Sequence, residues 1–205
     1  MKDQEIEVKY YIADLPALEA KLKRLGAQMV QERLHEINLR FDTPDEELKR
    51  AFKVLRLRQD KATRLTYKGP SQYHEGARIR QEIEFEVSDF EAARRFLEAL
   101  GYQVSMMYEK YRATYELDGV EITLDEMPYG DFAELEGPDT NALRIVNKKL
   151  GLDWDARAEE SYTVIFDRLR DVMGLVFSDL SFENFESLEV SPAAMNIRPA
   201  DIPSE

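Results

Sequence analysis

Hydrophobic and polar residues alternate with period two along much of the chain. The alternation predicts seven or eight strands, at about 5–12, 28–41, 54–58, 64–68, 78–87, 108–117, 120–125 and 131–136. Three- and four-residue spacing interrupts it. Leu15, Leu18, Leu22 and Leu25 share one helical face over 14–25, with Asp14 as a capping residue and Gly26 as a stop. A short helical piece is expected near 45–51, and longer helices over 90–100, 140–150 and 161–172. Asp118-Gly119 reads as a hairpin turn, and most strands are joined by links of hairpin length, so the sheet is expected to be mainly antiparallel and the fold α+β. From about Ser178 the chain becomes acidic and proline-containing. The organisation expected is a domain over 1–175 and an acidic C-terminal extension over 176–205, either flexible or docked in part through Leu180, Phe182 and Phe185.

The unusual feature is what the polar half of each strand contains. Strand after strand sets apolar residues on one face and charges of both signs on the other, as in Arg78, Arg80, Glu82, Glu84 and Glu86 against Ile79, Ile83, Phe85 and Val87. A solvent-exposed sheet face gives that pattern, and so does a closed β-barrel with a charged interior and helices packed outside. Composition narrows the setting. The 205 residues hold 28 Lys+Arg and 41 Asp+Glu, a net charge of −13, which disfavours bulk binding to nucleic acid or an anionic membrane but leaves room for a local basic pocket. No apolar run is long enough for a membrane-spanning helix, no signal-peptide core is seen, and cysteine is absent. A cytoplasmic location is the expectation.

Three groups of residues could carry chemistry. Glu5, Glu7 and Lys9 share a strand face, two carboxylates suited to a hard cation beside an ammonium. Arg56, Arg58, Lys68, Arg80, Lys110 and Arg112 lie on four strands at alternate positions. Guanidinium forks and ammonium charges of this kind suit phosphate oxygens, although cross-strand ion pairs on a solvated face explain any one pair equally well. A turn around Pro128–Gly130 sets Asp125 against Glu134 and Glu136, three carboxylates that need a divalent cation or the bases to neutralise them. His35 and His74 lack the spacing of a metal pair, and Trp154, Tyr10, Tyr11 and Phe166 suit packing.

In order along the chain, Glu5-x-Glu7-x-Lys9, Leu55-Arg56-Leu57-Arg58, Tyr67-Lys68-Gly69-Pro70, Arg80-Gln81-Glu82-Ile83-Glu84, Lys110-Tyr111-Arg112 and Asp125…Gly130-x-Phe132-x-Glu134-x-Glu136 resemble the CYTH family, the triphosphate tunnel metalloenzymes, over about residues 1–170. The resemblance implies an eight-stranded antiparallel β-barrel, a triphosphate tunnel. It implies that Lys9, Arg56, Arg58, Lys68, Arg80, Lys110 and Arg112 bind the triphosphate. Glu5, Glu7, Asp125, Glu134 and Glu136 would hold Mg²⁺ or Mn²⁺, and Glu82 and Glu84 would work with Lys9 as catalytic groups that position bases or a metal-bound water. Ser161-Tyr162 resembles the opening of the family's last helix, with a structural role. Asn38 and Arg40 depart from the family, whose second strand commonly carries an acid and an aromatic there. The implied substrates are tripolyphosphate, ATP or thiamine triphosphate, with a homodimer admissible. Hydrolysis of a phosphoanhydride is the activity favoured. Class IV adenylate cyclase, giving cyclic AMP and pyrophosphate, and a silent polyphosphate- or nucleotide-binding module are the alternatives.

Overall fold

The computed structural model describes residues 4–202, and 1–3 and 203–205, including the end of the expected extension, lie outside them. The strands are β1 (Gln4–Ile12), β2 (Gln28–Asp42), β3 (Val54–Gln59), β4 (Thr63–Lys68), β5 (Gln72–His74), β6 (Ala77–Val87), β7 (Gln103–Leu117), β8 (Val120–Met127) and β9 (Gly130–Glu136). They form one antiparallel sheet in the order β1-β9-β8-β7-β2-β3-β4-β6-β5, and a further β1–β6 pairing joins its ends. Eight strands thus make a closed ring. The closure rests on the register Glu5↔Arg80 and Glu7↔Arg78, which brings together residues more than 70 positions apart. β5 continues the line of β4 along β6 and was not expected, since His74 reads as loop. Its three residues pair only because Glu75-Gly76 turns the chain back, with Gly76 at φ +84°. β7 begins five residues earlier than its alternation suggests, because Gln103–Met107 extend along Leu39–Asp42 of β2.

Around the ring lie α1 (Leu15–Arg24), α2 (Glu47–Arg50), α3 (Phe90–Ala99), α4 (Thr140–Leu150), α5 (Tyr162–Met173) and α6 (Phe182–Phe185). The Asp14 carboxylate accepts from the Ala17 amide at 2.9 Å and caps α1, as its sequence implies. The hydrophobic core is outside the ring. Leu15, Leu18 and Leu22 of α1 and Leu143, Val146 and Leu150 of α4 cover Val8, Tyr10, Ile122 and Leu135. A second cluster joins Ile165, Phe166 and Leu169 of α5 to Phe132 and Tyr129, and a third sets Leu97 of α3 against Leu39, Phe41 and Leu57. The apolar half of most strands is therefore turned outward and largely covered by helices, with Ile37 of β2 and Ile83 and Phe85 of β6 left exposed, and the charged half faces the interior.

The chain beyond α5 runs along this outer surface. The Leu180 amide donates to the Met107 carbonyl at 2.9 Å, and the Glu109 amide donates to the Leu180 carbonyl at 3.0 Å. Phe185 and Met195 are buried against α5, and the Asp201 carboxylate accepts from the amides of Ala13 and Asp14 at 2.9 Å each. Among the described residues no helix is long and apolar enough to cross a membrane.

Candidate active site

The ring encloses a cavity of about 320 Å³ whose wall carries nine bases and seven acids. In a chain of net charge −13 this is a local inversion of sign. Strand parity produces it: Glu5, Glu7 and Lys9 of β1, Arg56 and Arg58 of β3, Lys68 of β4, Arg78, Arg80 and Glu82 of β6, Lys110 and Arg112 of β7, and Glu134 and Glu136 of β9 all point inward.

These charges are held in pairs. Glu5 accepts from Lys68 Nζ at 2.9 Å and from Arg80 Nε at 2.5 Å. Lys68 also reaches Glu82 at 3.0 Å. Burial alone would raise the Glu5 carboxyl, but Lys68 and Arg80 hold it well below the ordinary carboxylate range. Glu7 lies 3.5 Å from Arg78 and 3.4 Å from Arg80. Arg56 donates to Thr66 and Glu84 at 3.2 Å each and to the Tyr108 hydroxyl at 3.4 Å. Arg58 donates to the other Glu84 oxygen at 3.0 Å. Lys9 sits 3.4 Å from Glu134, donates to the Glu160 carbonyl at 3.2 Å and lies 4.1 Å above the Tyr162 ring. Burial lowers the Lys9 ammonium's pKa, with Glu134 opposing and Arg78 reinforcing the shift. Glu82 moves the other way from the bases' pull, raised by burial that Lys68 only partly offsets.

Of the fourteen residues expected from sequence, thirteen line the cavity. Asp125 is set into the wall with no solvent exposure, accepting from Lys110 at 2.9 Å, from Arg112 at 2.6 and 2.5 Å, and from the Tyr162 hydroxyl at 2.8 Å. Arg112 continues to Glu134 at 2.7 Å. Sequence reasoning did not include Arg78 or Glu121 in the site, although each shares parity with residues it did include. Glu36 was also missed. It is buried 3.7 Å from Lys110 and 3.6 Å from Arg58, and although burial opposes it, Lys110, Arg112 and Arg58 bring its carboxyl down to about 2. Ser161 and Tyr162, expected to be structural, form part of the cavity wall together with Thr163 where α5 begins.

The donor set fits a divalent cation in one region. Glu136, open to solvent at the rim, is pushed up to about 8 by desolvation and by the carboxylates of Glu5, Glu7, Glu121 and Glu82. A carboxyl whose ionisation its neighbouring carboxylates oppose, as here at Glu136, is what a hard cation relieves. Among the described residues they are not drawn into a closed three-ligand cage. Proton binding to Glu136 favours the fold, because its pKa lies above the unfolded glutamate value of about 4.3. That contribution is complete below the unfolded value and is lost as pH rises through about 8. The metal-free protein should therefore show a melting temperature that falls between about pH 5 and 8, with a shallower fall in Glu136→Gln. Parallel profiles for the two would contradict the crowding.

The fold and its charged interior define a class, and the family comparison agrees: the CYTH domain model matches residues 3–153, and the chain belongs to the CYTH domain family. Adenylate cyclase CyaB of Aeromonas hydrophila is 31% identical over 135 residues, spanning 64% of this chain and 67% of that protein. A Vibrio parahaemolyticus structure described as a candidate adenylate cyclase superposes with a TM-score of 0.72 at 24% identity, covering 82% of this chain and 99% of its own. A Hippeastrum protein, described as a candidate adenylyl cyclase with a dominant triphosphatase activity, gives 0.60 at 20% identity, covering 80% of this chain and 95% of its own.

Proposed function

We propose that the ring is the active site of a metal-dependent enzyme that hydrolyses a phosphoanhydride bond of an inorganic or organic triphosphate. The observation that carries this reading is the excess of bases over acids on the cavity wall of a strongly acidic chain. A triphosphate carries roughly four negative charges near neutral pH, and its hydrolysis depends on positioning and charge stabilisation more than on covalent help. Arg56, Arg58, Lys68 and Arg80 hold the phosphoryl oxygens in place of the carboxylates they now face. Lys110 and Arg112 complete the binding wall, kept in position by Asp125. Glu136, with Glu5 and Glu7 beside it, supplies the carboxylates for Mg²⁺ or Mn²⁺. Bound there, the ion would polarise a phosphoryl group and lower the pKa of a coordinated water. Asp125 and Glu134, already engaged by bases, act in this reading chiefly by fixing those bases. Lys9, whose pKa burial lowers, is suited to hand a proton to the departing phosphate oxygen. Glu82, whose carboxyl burial raises, is suited to accept one from the attacking water, with Glu84 orienting Arg56 and Arg58.

The wall presents little to hold a nucleobase. Its two aromatic rings are committed: Lys9 and Lys110 lie over Tyr162 at 4.1 and 5.4 Å, and Tyr108 is buried with its hydroxyl toward Arg56. The likeness to the Aeromonas hydrophila cyclase supports a second reading, in which the ribose 3′-hydroxyl of ATP attacks the α-phosphorus and releases pyrophosphate. Product analysis separates the two. With Mg²⁺ or Mn²⁺, hydrolysis gives orthophosphate from tripolyphosphate, whereas cyclic AMP with pyrophosphate from ATP establishes the cyclase. Tight binding of both without any product would establish a silent binding module.

A further inference from the structure

Eight of the nine bases on the cavity wall are paired with a carboxylate. Arg40 is the exception among the described residues. It lies near the C-terminal end of β2, half-buried, and its Nη1 donates to the neutral Thr163 hydroxyl at 2.6 Å. Thr163 is 3.1 Å from the Ser161 hydroxyl that caps α5, so the first turn of a twelve-residue helix stands beside the guanidinium. Across the ladder Arg40 faces Arg56, another cation. Two residues back on the same strand face, Asn38 has no solvent exposure, and neither atom of its side-chain amide has a hydrogen-bond partner among the described residues. A half-buried guanidinium without a counter-ion, next to another cation and an unsatisfied amide, is costly unless an anion arrives to complete it. The carboxylates crowd elsewhere, where Glu121 pairs with Glu136. The cavity thus has a carboxylate-rich region suited to a metal and, around Arg40, a region where no carboxylate of the described residues lies within ion-pair distance of the guanidinium, Asp167 acting on it only from further off.

We propose that Arg40 is a specificity-determining residue that takes a second charged terminus of the substrate. It would select a phosphate chain ionised at both ends over a phosphate ester whose corresponding end is a neutral sugar and base. The guanidinium fork matches two oxygens of a terminal phosphoryl group, and the amides at the start of α5 favour the same charge. The inference rests on the triphosphate reading of the cavity and adds to it the basis of substrate choice.

The test compares tripolyphosphate with ATP, measuring KM, kcat and the affinity of each, for the wild type, Arg40→Gln and Arg40→Lys. Loss of one charge-assisted phosphate contact should raise KM for tripolyphosphate about tenfold to a hundredfold in Arg40→Gln, with less than about a threefold change for ATP. Arg40→Lys, which keeps the charge, should recover most of the selectivity. An equal loss for both substrates, or no loss for either, overturns the proposal, since a residue that merely tethers α5 would not change the ratio. If Arg40→Gln does not fold, Arg40→Met, which keeps the apolar stem without the charge, carries the same comparison, and an unchanged tripolyphosphate-to-ATP ratio there overturns the proposal. A wild type that neither binds nor turns over tripolyphosphate removes the proposed function and this inference together, which is a different outcome from an active wild type with an indifferent Arg40.

Discussion

Asp125→Asn should destabilise the protein by about 3–5 kcal/mol, the usual cost of leaving buried charges without their partner. The Asp125 carboxylate is fully buried and accepts from Lys110, Arg112 and the Tyr162 hydroxyl at 2.5–2.9 Å. An amide keeps the shape but removes the charge, and it places two donor hydrogens against groups that are themselves donors. Lys110 would retain Glu36 at 3.7 Å, and Arg112 would retain Glu134 at 2.7 Å, which limits the damage without offsetting it. The control is Glu98→Gln in the exposed α3 pair with Arg94, where the same charge loss should cost no more than about 0.5 kcal/mol. Urea unfolding of the two variants beside the wild type decides the matter. A cost below about 1 kcal/mol for Asp125→Asn would mean that the carboxylate is not the electrostatic anchor of this wall.

The second large effect belongs to Lys68. It joins β4 to both β1 and β6 through Glu5 at 2.9 Å and Glu82 at 3.0 Å, and it lies at the centre of the basic wall. Lys68→Met keeps the apolar stem and removes the charge. In the proposed reaction this should lower kcat/KM for tripolyphosphate by about 10²-fold, from the lost contact to phosphate and from Glu5 and Glu82 repelling the substrate without their shared cation. The fold should survive, because Glu5 keeps Arg80 at 2.5 Å. Steady-state kinetics with a melting curve on the same sample measures both. Unchanged kinetics in a folded variant would place the substrate away from this wall.

The sequence made strand parity legible, and with it most of the site, because a period of two fixes which side chains share a face whatever the partner strand is. Arg56 with Arg58, and Lys110 with Arg112, needed nothing more. Which face is inside could not be read locally. A charged face usually meets water, and here it meets the cavity only because β1 closes on β6 across more than 70 residues, a pairing no local pattern encodes. β2 shows the difficulty. Ile37 is 36% exposed on the outside while Glu36 and Asn38 are nearly or wholly buried inside, the reverse of the usual reading of such a strand. Ordinary parity from Lys110 and Arg58 through the register would have found Glu36 once the ring was known. The state of Asp125, fully occupied by its donors, depends on two other elements, β7 and α5, and is visible only in three dimensions.

The most direct measurement is a crystal structure of the protein grown with a non-hydrolysable tripolyphosphate analogue. The account predicts three phosphoryl groups in the ring, within hydrogen-bonding distance of Arg56, Arg58, Lys68 and Arg80. An analogue bound only on the outer surface, at concentrations where solution binding is saturated, would contradict it.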